Sequence, residues 1–160
     1  MDTRFKEIHE KGIKNLIIDV RFNSGGSAES SIHLLKYLVD KPFTYYAESQ
    51  IKKGSGKSEG EIPQAPFVNA FKGKLYFIID GNGKSTTGHF MATVKVLKLG
   101  TIVGEELGSN QYCTAGQTIA RLSNTKLNYF IADTGVETMA TSLPDETGVL
   151  PDHYVTQSID

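Results

Sequence analysis

The sequence LYFIIDGNGKSTTGHFMATVKVLKLGTIV, residues 75–103, decides the fold. Residues 75–79 form an apolar run rich in aromatic and β-branched side chains, which is typical of a buried strand. Residues 80–84 form a glycine-containing turn, and residues 85–97 place apolar side chains at helical spacing. Residues 101–103 read as a second short strand after Gly100. This order of strand, turn, helix and strand predicts a βαβ unit with parallel strands.

A second βα unit precedes this one. Residues 16–20 (LIIDV) predict a strand, residues 23–27 (NSGGS) a glycine turn, and the following apolar spacing predicts a helix that ends before Pro42. Residues 5–14 predict a helix that leads into the first strand. The sequence therefore predicts an α/β core made of two βα units.

The remaining segments differ in character. Residues 43–49 predict a further strand, and residues 51–66 predict a solvated loop that we expect to be disordered. Residues 117–122 and 126–131 are strand-like runs joined by a polar turn, so they predict a β-hairpin appended to the core. No linker composition divides the chain, and we therefore expect residues 1–160 to form a single domain.

Charge and composition exclude several classes of function. The 17 Lys and Arg residues nearly balance the 18 Asp and Glu residues, which gives a net charge of −1 and predicts no nucleic-acid partner. Cys113 is a lone cysteine without a basic neighbour in sequence, and it is expected to be inert. The histidines have no metal-ligand spacing, so the sequence predicts no metal; they are His9, His33, His89 and His153.

The turn GNGKST, residues 81–86, superficially resembles a phosphate-binding loop. Such a loop needs a glycine five residues before its second one, and Ile78 stands at that position. Residues 54–58 (GSGKS) fail the same test, with Ile51 in that place. We therefore expect no nucleotide and no other cofactor.

Ser85 is the candidate nucleophile. It lies where a buried strand gives way to a helix, so its hydroxyl and the Thr86 amide are expected at the carboxyl edge of the sheet. Gly25 and Gly26 end the neighbouring strand and allow a second amide to approach closely. Together these donors would form an oxyanion hole. The alternative is that Ser85 is only a helix N-cap and that the glycines only form a turn.

Four segments resemble one family, the carboxyl-terminal-processing, or tail-specific, serine peptidases, and they follow in that family's order. They are NLIIDVRFNSGG (15–26), KSTTGHF (84–90), TIVGEELG (101–108) and TGVLPDHYV (147–155). The resemblance implies a ClpP/crotonase-like fold, and it also implies Ser85 as nucleophile with Thr86, Gly25 and Gly26 around the oxyanion. It further implies an extended peptide or protein substrate and export to a bacterial periplasm or cell surface, and it leaves homo-oligomerisation open.

The four segments do not supply the general base that Ser85 needs. The lysine slot of many family members falls on Asn110, which cannot accept a proton. A branch similar to the tricorn protease core uses an upstream histidine with an acid, which Asp145 or Glu146 matches by position. That comparison predicts the C-terminal part of a longer catalytic domain, or an inactive relative.

His89 is the internal alternative for the base. It lies one helical turn after Ser85, and helical side chains lean toward the N-terminus. A histidine packed in the core is the more common outcome, and we favour it here. Glu105 and Glu106 are expected to support the end of their strand, because adjacent residues point apart.

Three functions follow from these features. The first is a serine endopeptidase that cuts near protein C-termini, and the second is an inactive module that binds peptides. The third is a crotonase-type enzyme acting on acyl thioesters, which would need an adenine-binding surface that the sequence does not reveal.

Overall fold

The computed structural model describes residues 1–51, 57–114 and 116–156. The helices are α1 (Asp2–Glu10), α2 (Ala28–Leu35) and α3 (Thr86–Val96). The strands are β1 (Asn15–Asp19), β2 (Lys74–Ile79), β3 (Thr101–Gly104), β4 (Tyr112–Thr114), β5 (Gln117–Arg121), β6 (Asn128–Ala132), β7 (Gly135–Glu137) and β8 (His153–Tyr154). Two 3₁₀ helices, Glu48–Gln50 and Glu59–Glu61, lie between α2 and β2.

The central sheet has the order β1-β2-β3-β8, and each of its pairings is parallel. The two predicted βα units, β1–α2 and β2–α3, are therefore confirmed. On β2 the side chains of Leu75, Phe77 and Ile79 are buried, and Met91 and Val94 of α3 are fully buried in the same core. Because parallel strands end at one edge, this packing brings the turns before α2 and α3 together.

A two-stranded ribbon extends from the core. Strand β4 pairs with β7 at its base, and β5 pairs with β6 in its outer part, both antiparallel. The outer pair is the hairpin predicted from the sequence. The inner pair was not predicted, because three-residue strands carry too little alternation to be recognised.

The prediction of a strand at residues 43–49 is wrong. Phe43 and Tyr46 each form a single isolated bridge, to Gln64 and Thr138 respectively, and residues 48–50 turn into a 3₁₀ helix. The amides of this segment bond two other chain segments, since Phe43 and Tyr46 donate to residues 64 and 60 of one segment, and Ala47 donates to Glu137 of another. A continuous ladder cannot form when successive amides find partners on separate segments.

The predicted solvated loop is partly packed. Gly60, Glu61 and Gln64 are buried, and a Cβ added at Gly60 would lie 2.3 Å from the ring of Tyr46. This part of the loop covers an aromatic side chain and is therefore not free in solvent. The expectation of disorder falls partly on residues 52–56, which lie outside the described residues.

Helix α2 ends earlier than the apolar spacing predicts. It stops at Leu35, and the carbonyls of Lys36 and Tyr37 accept hydrogen bonds from Phe67 and Phe71 at 2.8 and 2.7 Å. These carbonyls are then unavailable to a further helical turn. Helix α1 covers Asp2–Glu10 and not residues 5–14.

The C-terminal segment is fastened to the sheet by two carboxylates. Asp152 accepts a hydrogen bond from the Ile102 amide at 2.8 Å and pairs with Lys95 of α3. Although partial burial opposes it, these hydrogen bonds lower the pKa of Asp152. Glu106 accepts from the Gly148 amide at 2.8 Å, which fits its expected scaffold role. Within the described residues, no helix has the length and hydropathy needed to cross a bilayer.

Candidate active site

Ser85 lies in a strained turn at the start of α3. Its backbone has φ 53° and ψ −129°, and the Thr87 amide donates to the Lys84 carbonyl at 3.1 Å, which defines a type II′ turn. A positive φ at a residue with a Cβ costs about 1–3 kcal/mol and is concentrated at functional sites. The Ser85 side chain is exposed and caps no amide of α3. Ser85 therefore occupies the N-cap position of α3, but its hydroxyl does not cap the helix.

The glycine turn after β1 lies directly against this serine. A Cβ added at Gly25 would stand 2.7 Å from the Ser85 Cβ and 3.0 Å from the Thr86 amide nitrogen. Gly25 also has φ +93°, a conformation that favours glycine. The Thr86 hydroxyl donates to the Gly26 carbonyl at 2.7 Å, which ties the two turns together. The structure thus brings together the four residues that the sequence singled out.

Asn23 fixes the glycine turn, and sequence reasoning missed it. Its side-chain oxygen accepts from the Gly25 amide at 2.9 Å and from the Thr87 hydroxyl at 3.0 Å. Its carbonyl accepts from the Lys84 amide at 3.0 Å. The Gly25 amide is therefore occupied, which corrects the expectation that either glycine could serve. Among the described residues, the Gly26 and Thr86 amides have no acceptor.

A buried carboxylate joins the same two turns. Asp80 directly follows β2 and is 3% exposed. Its Oδ1 accepts from the Phe22 amide at 3.1 Å and from the Asn82 amide at 3.2 Å. Since Phe22 lies in the turn after β1, this carboxylate holds the two loops at a fixed separation.

Cys113 is the side chain that meets the Ser85 hydroxyl. Its Sγ lies 3.1 Å from the Ser85 Oγ, and it belongs to β4 at the base of the ribbon. Sequence reasoning considered only neighbours along the chain, and these two residues are 28 positions apart. The local sequence contains no signal that could have revealed this contact.

His89, the internal alternative for the general base, is buried. Its Nε2 lies 3.1 Å from the Val136 carbonyl, and its ring packs edge-on against Tyr45. Because a carbonyl only accepts, Nε2 carries the proton, and Nδ1 is the acceptor in the neutral ring. Burial lowers the pKa of His89, although the bond to Val136 opposes this shift. The structure places this histidine among the packed core residues.

The side chain of Asn110 forms hydrogen bonds with three backbone groups. Its Nδ2 donates to the carbonyls of Asp145 and Thr147 at 3.0 and 3.2 Å, and its Oδ1 accepts from Tyr112 at 3.0 Å. Asp145 accepts from the Gln111 side chain at 2.9 Å. Asp145 and the exposed Glu146 line a groove beside Asn110.

A groove of about 250 Å³ opens beside the two glycines. Val20, Leu34 and Phe90 give it apolar walls, and Thr86 contributes to its lining. Serine hydroxyls line it as well, from Ser27, Ser30 and Ser31. Among the described residues, no group of three or more His, Cys, Asp or Glu side chains could hold a metal ion.

The model of peptidase family S41 matches residues 1–155. The chain belongs to peptidase family S41. No curated protein sequence matches it significantly. The chain is thus placed in its family by the family model and by the order of its motifs.

Several solved structures share the fold of this S41 chain at low sequence identity. The photosystem II D1 C-terminal processing protease matches 96% of this chain with 21% identity and a TM-score of 0.60. Mature CPAF matches 95% with 14% identity and a TM-score of 0.64. A lipoprotein from Streptococcus agalactiae matches 96% with 16% identity and a TM-score of 0.54. The S41 chain has the predicted ClpP/crotonase-like core, and it spans 38%, 41% and 54% of these three chains.

Proposed function

We propose that this chain is the catalytic core of a serine endopeptidase in which the Ser85 hydroxyl attacks a peptide carbonyl. The Thr86 and Gly26 amides donate to the oxyanion of the tetrahedral intermediate. The observation that carries the proposal is the contact of the strained, exposed Ser85 turn with Gly25, at a distance that excludes any side chain there. A strained turn at the nucleophile, packed against a position that only glycine can occupy, is typical of a preorganised active site.

The proton of Ser85 must pass to a base during the attack. Among the described residues, the Cys113 thiol is the side chain within hydrogen-bond distance of the Ser85 hydroxyl, and the His89 side chain bonds Val136 instead. We therefore propose that the base is contributed from outside the described part of the chain, in line with its span of 38% and 41% of two structural neighbours. Asp145 or Glu146 would then orient that base from the groove beside Asn110.

We propose an extended peptide or protein as substrate, cut near its C-terminus, and export as the setting of this activity. The family assignment and the processing protease among its structural neighbours support the substrate, and the lipoprotein among those neighbours is in line with export. The apolar groove beside Gly26 supports an uncharged side chain of the peptide next to the scissile bond.

A second candidate is a peptide-binding module without peptidase activity. Asn110 favours it, because its amide is committed to three backbone groups and supplies no proton acceptor. The family assignment does not favour the acyl-thioester alternative.

A fluorophosphonate probe distinguishes the two candidates. In the protein that includes the segment supplying the base, we expect the probe to label Ser85, Ser85→Ala to lose labelling, and Cys113→Ser to retain it. Labelling that persists in Ser85→Ala would disprove the assignment of the nucleophile. Labelling lost in Cys113→Ser but kept in Ser85→Ala would assign the reaction to the thiol. A chain that binds an unstructured apolar peptide yet resists the probe would be the binding module.

A further inference from the structure

The apolar groove beside Gly26 lies between helices α2 and α3. On the side of α2 it is lined by residues 27, 30, 31 and 34, which have the spacing of one helix face. On the side of α3 it is lined by Thr86 and Phe90, which are one helical turn apart. Because each helix presents one face to it, the groove runs along the two helices from the glycine turn.

Leu34 lies at the end of the apolar groove that is farthest from the glycine turn along α2. It follows Ser27 by seven residues, which corresponds to about 10 Å along a helix. Helical side chains lean toward the N-terminus, so the Leu34 side chain extends back toward the glycine turn. Val20 and Phe90 are 7% and 4% exposed, whereas Leu34 is only partly buried. Leu34 therefore presents the apolar surface that a long side chain entering beside Gly26 would contact.

The lining of the apolar groove offers no partner for a charged group. Among the described residues that line it, none has an ionisable side chain. The Thr86 hydroxyl donates to the Gly26 carbonyl at 2.7 Å. The Ser27 hydroxyl accepts from the Ser30 amide at 3.2 Å. Because burial of an unpaired charge is strongly unfavourable, the groove favours an apolar side chain over an acidic or a basic one.

The size of the apolar groove suits one long side chain. Its volume of about 250 Å³ is below the usual range for pockets that hold a whole ligand. A leucine side chain would extend toward Leu34, whereas an alanine side chain would leave that end of the groove empty. Each buried methylene group strengthens binding about fourfold. Since leucine has three more carbon atoms than alanine, the groove should prefer leucine by about 10- to 50-fold.

We propose that Leu34 determines specificity, and that the site accepts a long apolar residue, such as leucine or methionine, on the acyl side of the scissile bond. The inference rests on the proposed oxyanion hole of Gly26 and Thr86, which holds the carbonyl of that residue at the mouth of the groove. The side chain is attached next to this carbonyl, so it enters the groove. Attack by Ser85 is not required, and the inference therefore applies to the peptidase and to the binding module alike.

Nuclear magnetic resonance titration of the ¹⁵N-labelled chain tests this specificity without any cleavage. The probes are acetylated peptides of three alanines followed by leucine, alanine or glutamate, each with a free C-terminal carboxylate. This carboxylate takes the place of the peptide carbonyl at the Gly26 and Thr86 amides. We expect both amide resonances to shift, and the leucine peptide to bind about 10- to 50-fold more tightly than the alanine peptide. The glutamate peptide should bind no more tightly than the alanine peptide.

Two variants of Leu34 test its role in this preference. Leu34→Ala removes the contact at the end of the groove and should reduce the preference for leucine to less than about fivefold. Leu34→Lys places an ammonium group there, so the glutamate peptide should bind about tenfold more tightly than the leucine peptide. Leu97→Ala is the matched control, because Leu97 is also a partly buried leucine packed against the core but does not line the groove. It should leave the three affinities unchanged.

The outcomes separate this inference from the proposed function. Shifts at Gly26 and Thr86 with equal affinities for the three peptides would overturn the role of the groove and leave the oxyanion hole in place. An unchanged order of affinities in Leu34→Lys would overturn the role of Leu34. No binding at about 5 mM would also overturn the inference, while fluorophosphonate labelling decides independently whether Ser85 is the nucleophile. The dispersion of each spectrum verifies that the variant is folded.

Discussion

Replacement of Ser85 by glycine is expected to stabilise the protein relative to replacement by alanine. Both variants lose the hydroxyl and its contact with Cys113, so their difference reports the backbone alone. The positive φ of Ser85 costs about 1–3 kcal/mol for a residue with a Cβ, and glycine removes this cost. Glycine also increases the entropy of the unfolded chain, which costs about 0.4–1 kcal/mol. The net expectation is that Ser85→Gly is more stable than Ser85→Ala by about 1 kcal/mol.

Urea unfolding measures this difference. With an m-value of about 2 kcal/mol/M, the midpoint of Ser85→Gly should lie about 0.5 M above that of Ser85→Ala. Ser30 in α2 provides the matched control, because it is exposed and helical. There the order should reverse, with glycine less stable than alanine by about 1 kcal/mol. If the Ser85 pair follows the same order as the Ser30 pair, the turn is not strained and the argument for a preorganised nucleophile fails.

Three further predictions follow. Gly25→Ala should destabilise the fold by about 2–4 kcal/mol, because its Cβ would meet backbone at 2.8 Å with φ +93°, whereas Gly26→Ala meets open space and should cost only about 1 kcal/mol. Burial lowers the pKa of His89, so below pH 6.5 the unfolded state takes up a proton that the folded state resists. As the pH falls toward 5, the wild type should therefore lose stability more steeply than His89→Gln. Asp152→Asn should cost about 0.5–1 kcal/mol at pH 7, and this difference should vanish below the folded-state pKa of Asp152, which lies under its usual value.

Denaturant unfolding at several pH values measures all three. Equal losses for the two glycine variants would contradict the close approach at Gly25. Parallel pH profiles for the wild type and His89→Gln would show that the imidazole is not held neutral. Lys95→Met is the matched control for Asp152, since it removes the same ion pair from the other side and should give a loss of similar size. A loss for Asp152→Asn that persists unchanged at acid pH would exclude the ion pair as its cause.

The sequence was sufficient for features that depend on neighbours along the chain. The apolar run of residues 75–79, the glycines at 25 and 26, and the strand-like run of residues 117–122 each carry their own structural preference. The strands of the two βα units, the turn before α3 and the outer hairpin could be predicted for that reason. The strand expected at residues 43–49 was wrong because its aromatic composition suits any half-buried surface, and its hydrogen-bond partners lie on two other segments.

The sequence by itself determined that a serine stands between a buried strand and a helix, opposite a glycine pair on a parallel strand. Only the tertiary structure decided which atoms meet there. Asn23 occupies the Gly25 amide, His89 donates to Val136, and Cys113 faces Ser85 from 28 residues away. The physical reason is that backbone preference is local, whereas a hydrogen bond depends on distances set by the packing of the whole core.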